Sequence, residues 1–447
     1  MLRVCQDRRI CASRGSRLNF SLQRMSSVGM GETRVPWPTI IFLILVFFGA
    51  DHDVRFSAKN NAIQWSSAQW LVTQTEQGYL PRRIALVSLG TFSLASLALL
   101  RRNRLAAGRT PSYLLALFTL LTLMSVLWAD DQTLAFRRAV EFLLLCLGAF
   151  AVAERFTLRD LLRLAFIGTL IYLVVGFICE IVLGKFAPVE QGYRFCGTLQ
   201  PNHEGWNCAF LLLSSVFLAK GAGPRRRLFI MIALIAFSFL ILTKSRTSFA
   251  CVGIALLACW ASRGSGWRKI MMAHLAGAVL CLFLLLGGEA VLPVLRSGVL
   301  MGREDASTST LSGRTLMWNA SMGYIAERPL SGYGFNSFWT DKHIIAVSSS
   351  TGEVVPAAHC DYIELLLGVG IPGLALFVAV LGRAYARYSG AYRATCDGGV
   401  GFALATLVFY CLVMTTEVIG FSACLPTFIV LALLFKEPRS FAACARG

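Results

Sequence analysis

Charge is scarce in this sequence. Of 447 residues, 15% are Asp, Glu, Lys or Arg and 56% are hydrophobic, with a mean hydropathy of +0.64. That balance excludes an ordinary soluble globular domain. Strand-like alternation is absent, which argues against a β-barrel. There is no internal repeat, no low-complexity tract, and no C-x-x-C or H-x-x-x-H spacing that would propose a metal. No small-x-small cleavage site follows VFFGA, so the Arg- and Ser-rich start leads into an uncleaved first helix rather than a signal peptide. The net charge of +18 finds no soluble domain on which nucleic-acid binding would sit.

What is present is a succession of long apolar runs. A helix needs about 20 apolar residues to cross about 30 Å of hydrocarbon, and each run suits one crossing. Twelve spans are expected, over residues 36 to 50, 84 to 100, 111 to 128, 139 to 153, 161 to 183, 206 to 219, 228 to 243, 248 to 262, 270 to 295, 361 to 382, 400 to 416 and 421 to 435. With the N-terminus inside, the internal segments carry 27 of the 42 basic residues, as in RRNRLAAGR and KGAGPRRR, while one external turn reads ADDQT. The basic excess therefore reports membrane orientation. The expectation is an all-α integral membrane protein in a phospholipid bilayer, both termini cytoplasmic. It divides into a basic, disordered extension (1 to 35), nine helices (36 to 295), a long external loop (296 to 360), three helices (361 to 435) and a tail (436 to 447). Met25 and Met30 offer alternative starts.

Three external segments are distinctive: the loop GKFAPVEQGYRFCGTLQPNHEG (184 to 205), the tight KSRT turn (244 to 247), and the long loop 296 to 360. Long ordered loops on a rigid scaffold are where function tends to sit. Within the last, Leu316, Met317, Ala320 and Tyr324 recur at helical spacing after Ser312 as N-cap, which predicts a short amphipathic helix along the membrane face. The following LSGYGFNSFW reads as a turn packing rings at the interface.

SGRTLMW, followed by ERPLSGYGFNSF and AAHCDYIELLLGVGIPG, resembles the signature of the bacterial O-antigen ligase and O-antigen polymerase superfamily, which includes exopolysaccharide polymerases. FCGTLQPNHEG and LTKSRTSF resemble two further motifs of that family. The resemblance implies a glycosyltransferase of the bacterial inner membrane that works without a metal or other cofactor. It would move a glycan from an undecaprenyl diphosphate carrier, on the periplasmic side, to an acceptor hydroxyl on lipid A core or on another carrier-linked glycan. The residues it carries over are Arg246, Arg314 and His359.

The chemistry suits those residue types. Transfer from a diphosphate needs the leaving group's charge stabilised and the acceptor hydroxyl deprotonated as it attacks. Arg246 and Arg314 offer planar forks to phosphate oxygens without a metal, and Lys244 adds a point charge. His359, with an ordinary pKa near 6.5, is the expected proton acceptor. Asp361 or Glu364 orients its imidazole, or caps the following helix. Asn202 positions a donor sugar or closes a turn, and Arg194 and Tyr333 are candidates for glycan contacts. His203 and His343 read as loop residues.

The chain departs from the family pattern at Cys360, where His-Asn is common, and Cys196 precedes the Gly-Thr pair. These two external cysteines either form a disulfide tying the 184 to 205 loop to the long loop or remain free thiols. Asp51-His52-Asp53 resembles a metal-binding acidic pair of other lipid-carrier glycosyltransferases, but nothing downstream supports that class, and the triplet reads as solvated residues at a helix end. The alternative function is a lipid-linked glycan flippase or other transporter. Ionisable residues clustered at span ends, with Glu141 and His274 as near-exceptions, favour the enzyme.

Overall fold

The apolar runs are realised as helices. A computed structural model describes residues 36–54, 56, 80–99, 110–190, 192–262, 274, 314–351 and 357–437, and among these every regular element is helical. In chain order they are α1 Trp37–Asp51, α2 Leu80–Ala98, α3 Thr110–Met124 with a 3-10 turn Ser125–Trp128, α4 Gln132–Arg155, α5 Leu158–Val182, α6 Pro201–Ala219 and α7 Arg226–Leu242. There follow α8 Arg246–Ala261, α9 Arg314–Glu327, α10 Asp341–Thr351, α11 Asp361–Thr395, α12 Gly398–Val413 and α13 Leu425–Phe435. Contacts separate a first unit, Met1–Thr39, from a second, Ile40–Gly447. The first contributes only residues 36–39 to what is described, and everything below concerns the second.

Eleven of the twelve expected spans coincide with a helix. The ninth, 270 to 295, lies outside the described residues apart from His274, as do the basic extension, residues 296 to 313 and 352 to 356 of the long loop, and the tail beyond 437. Helices α5 and α11 are by length and composition able to cross a membrane, and α1, α3, α8, α12 and α13 are shorter apolar helices. The outward faces are apolar: Ile41 and Leu45 on α1, Ile84 and Leu94 on α2, and Leu234 on α7 are each more than half exposed. Such faces suit hydrocarbon and are costly in water.

Polar contacts sort to the two ends of the helices. At the end the sequence assigns to the cytoplasm, basic side chains satisfy helix carbonyls: Arg155 donates to Ser96 O at 2.9 Å, Lys436 to Ala153 O at 2.7 Å and Arg387 to Leu433 O at 3.2 Å. This is where cations complement unpaired C-terminal carbonyls. Thr157 and Asp160 close a reciprocal cap on α5, and Asp397, paired with Arg159 at 2.9 Å, caps α12. The opposite end carries every motif of the site.

Helix α11 is broken at that opposite end, and the break has a cause in GVGIPG. Pro372 has no N–H to offer Gly368 O, and Gly370 turns to φ 66°, a conformation that glycine takes most readily. The freed carbonyls of Leu367 and Gly368 accept instead from Tyr333 N at 2.7 Å and Gly334 N at 2.9 Å, while Ile371 N donates to Pro329 O at 2.8 Å. The Gly-Tyr-Gly turn thus plugs into the opened helix. Gly332, also at positive φ (62°), lies so close that an added Cβ would meet Gly368 C at 2.6 Å. Next in sequence, Phe335 inserts among Phe142 at 5.3 Å, Phe421 at 5.2 Å and Phe118 at 6.3 Å between ring centroids, rooting the turn in the helical core.

The expected amphipathic helix is α9, with Met317, Ser321 and Ile325 buried. Leu316 is half exposed, so the buried stripe is displaced from the one expected, and Ser312 lies outside the described residues. Helix α10 was not anticipated. His343 lies on it, buried and stacked at 4.3 Å on Phe338, with Nδ1 2.7 Å from Phe338 O, and is not a loop residue.

Candidate functional site

His359 sits in the turn between the long loop and α11 at φ 48°, a conformation that L residues adopt at a cost. Its neighbours over-determine it. Trp318 Nε1 donates to Ala358 O at 2.8 Å, and Ala358 N donates to Glu364 Oε1 at 2.6 Å. Trp339 Nε1 donates to both oxygens of Glu364, at 2.8 and 2.9 Å. On the other side, Asp361 N donates to Met414 O at 2.9 Å, and Asp361 Oδ2 accepts from Ile419 N at 2.9 Å and Gly420 N at 2.7 Å. Asp361 and Glu364 therefore hold the backbone around His359 and form no hydrogen bond to its ring, which corrects the expectation that one of them orients the imidazole.

The His359 turn is bonded to the α12–α13 connection, and that connection supplies a residue the sequence did not reveal. Glu417, buried, accepts at Oε1 from Arg314 Nη2 at 3.0 Å and from Asn202 Nδ2 at 3.0 Å. Asn202 in turn accepts from Arg194 Nη2 at 2.8 Å, and Arg194 Nε donates to Thr243 O at 3.0 Å. Four residues from four segments thus form one chain, and three of them were candidates. Burial holds the His359 imidazole below its ordinary value; Glu417 opposes that shift and Arg314 adds to it.

Arg246 opens α8, half-buried, and Lys244 precedes it at φ 51°. Ser245 packs so tightly on Gly205 that an added Cβ there would meet Ser245 Cβ at 2.7 Å. Thr416 Oγ1 donates to Thr247 Oγ1 at 3.3 Å. The Ser-Arg-Thr turn therefore adjoins both α6 and the residue before Glu417, bringing Lys244 and Arg246 to the same end as Arg314.

The Gly-Thr loop is fastened by Glu180, a buried carboxylate at the end of α5. It accepts from Tyr193 Oη at 2.5 Å, Cys196 N at 2.9 Å and Gly197 N at 2.8 Å. Against the expectation of a solvated triplet, His52 is buried with Nδ1 2.7 Å from Thr198 Oγ1, stacked at 4.8 Å on Phe48, and Asp53 N donates to Thr198 O at 2.9 Å. Burial first, then the charge of His203, pushes the His52 imidazole down to about 3. His203 lies in the first turn of α6, stacked at 4.1 Å on Trp206, rather than in a loop.

Cys196 and Cys360 are both free and buried, so the disulfide alternative is not what the structure holds. Cys196 Sγ lies 3.3 Å from Glu180, and burial followed by that carboxylate raises its thiol; burial also raises Cys360. Tyr333, a candidate for glycan contact, is 3% exposed and its hydroxyl donates to Glu327 at 2.8 Å. Burial and Glu327 push it up to about 12, and Arg328 lies over its ring at 4.5 Å.

The described residues form helices with hydrocarbon-compatible faces and gather arginines and a histidine at one end. Residues 230–378 match the family model described as O-Antigen ligase. A stretch of 301 residues is 24% identical to the "Exopolysaccharide production protein ExoQ" of Rhizobium meliloti (strain 1021), covering 63% of this chain and 66% of that protein. The two matches support placement in the O-antigen ligase and polymerase superfamily. The family match contains Lys244, Arg246, Arg314 and His359 but neither Asn202 nor Glu417.

Proposed function

We propose that this protein transfers a glycan from an undecaprenyl diphosphate carrier to an acceptor hydroxyl at the periplasmic face of the bacterial inner membrane, as an O-antigen ligase or an O-antigen or exopolysaccharide polymerase. The observation that carries the reading is the Arg194–Asn202–Glu417–Arg314 chain bonded into the same connection that fixes the His359 turn. Arg246 and Arg314 bind the diphosphate, with Lys244 adding charge. The acceptor oxygen attacks the anomeric carbon, and its proton passes to neutral His359. The bond from that carbon to the phosphate oxygen breaks, and its electron pair leaves with the diphosphate. The twelve-span arrangement with cytoplasmic termini, and a metal-free reaction, belong to the same proposal.

The test is transfer by the purified chain in detergent, where no sided membrane exists. Carrier-linked glycan joined to acceptor by wild type, and by His359→Ala at a rate lower by roughly a thousandfold, is expected for a lost general base with its positioning role. A flippase or other transporter makes no new bond there. Full activity in a correctly folded His359→Ala protein would overturn the mechanism.

A further inference from the structure

The end of the helices that carries the His359 turn holds a separate cleft of about 1010 Å³, walled by the α3–α4 connection, Arg328 and the start of α10. Its charges balance: Asp130, Asp131 and Asp341 stand against Arg137, Arg328 and Lys342. Two of the acids are already engaged, Asp130 with Arg328 at 2.7 Å and Asp131 as the cap of α4, accepting from Leu134 N at 2.9 Å. A diphosphate would find no net positive charge here, and a lipid chain would find charged and amide side chains among the apolar ones of the wall. Exposed Gln132 and Thr133 add neutral donors and acceptors along one side, and exposed Asp341 and Lys342 face the cleft from α10. Donors and acceptors gathered at one cleft beside a braced indole suit a neutral polyhydroxylated ligand.

The cleft is also bonded to the candidate site. Trp339 forms part of its wall, and its indole donates to Glu364, the carboxylate that holds Ala358 N beside His359. One buried side chain therefore braces both the cleft and the turn.

We infer that this cleft binds sugar units of a carrier-linked glycan, through Gln132, Thr133 and Asp341, while the diphosphate lies at the arginines. The inference rests on the proposed transfer reaction, and the glycan is that of either the donor or the acceptor.

The probe is the lipid-free oligosaccharide repeat released from the cell's own polysaccharide, presented to the full chain in detergent and read by saturation-transfer NMR. Wild type is expected to bind it, and Gln132→Ala with Asp341→Asn to bind about tenfold more weakly, as loss of one or two hydrogen bonds predicts, with an unchanged melting temperature. Thr133→Ala, on the same exposed edge, serves as the second variant should the pair fail to fold. No binding by wild type, or equal binding by the variants, overturns the inference. In steady-state transfer the variants should raise KM for one carrier-linked glycan about tenfold, with kcat held within about twofold. A rise in the donor's KM assigns the cleft to the donor, and a rise in the acceptor's assigns it to the acceptor. Unchanged KM for both overturns the inference. If wild type transfers nothing, the proposed function falls, and the oligosaccharide binding still decides the cleft.

Discussion

The carboxylate of Glu417 stands 3.0 Å from the guanidinium of Arg314, across 103 residues of sequence. The same oxygen takes the amide of Asn202, so one acidic group fixes two of the candidate ligands. Removing its charge while keeping its shape tests how far the site depends on it. In Glu417→Gln, Arg314 loses its ionic partner and kcat/KM is expected to fall by roughly tenfold to a hundredfold, the scale of a lost charge-assisted hydrogen bond. Glu417 also raises the proton affinity of His359, so the acid limb of the pH profile should move to lower pH in the variant. A fall in rate with an unmoved limb would separate the two roles.

The wild-type profile carries its own prediction. Burial depresses the His359 value below the ordinary 6.5, and the proposed transfer needs His359 neutral to take the proton. Activity is therefore present above the depressed value and lost as pH falls through it. The measurement is kcat/KM against pH in detergent, and an acid limb above pH 6.5 would contradict the environment described for the ring.

Arginine geometry should matter as well as charge. Arg246→Lys and Arg314→Lys each keep a cation but lose the planar fork, and each is expected to lower kcat/KM by roughly tenfold to a hundredfold. Steady-state kinetics with the carrier-linked donor varied will show it, and wild-type kinetics in both variants would mean that neither fork meets the diphosphate.

The broken helix makes a stability prediction. A Cβ at Gly370 would meet the backbone of Leu330 at 2.5 Å, at a φ that side chains resist, and Gly370→Ala should cost roughly 2 to 4 kcal/mol. Gly253, with open space around it, is the control: Gly253→Ala should be neutral or slightly stabilising. Thermal unfolding in detergent compares the two.

The cysteines give a covalent test. Alkylation of denatured protein without reductant should label both Cys196 and Cys360, since both are free. Protection of the pair that is lifted by reductant would restore the disulfide alternative.

The helices were legible because a crossing demands a long apolar run, and eleven runs fell where expected. The Ser-Arg-Thr turn and the His359 loop were legible as short motifs. Glu417 was not, because its meaning lies in partners 103 and 215 residues away and nothing in TTEVIGF marks it locally. The placement of His52 was missed for the same reason: a polar triplet after a helix looks solvated until Thr198 is folded against it. Tyr333 reads in sequence as a sugar-friendly ring, and in the fold its hydroxyl is hydrogen-bonded to Glu327. Motif position brought Arg194, Asn202 and Arg314 under consideration, and the tertiary hydrogen bonds join them through Glu417.

The fastening of the His359 turn to Met414, Ile419 and Gly420 sets an order of assembly. During synthesis the long loop, α11 and α12 are made before residues 414 to 420 exist, and until these arrive neither Asp361 nor Arg314 has its partner. A nascent chain can therefore present both the histidine and the arginines in sequence while still lacking the clamp that aligns them, and the site becomes complete only as the α12–α13 connection reaches it.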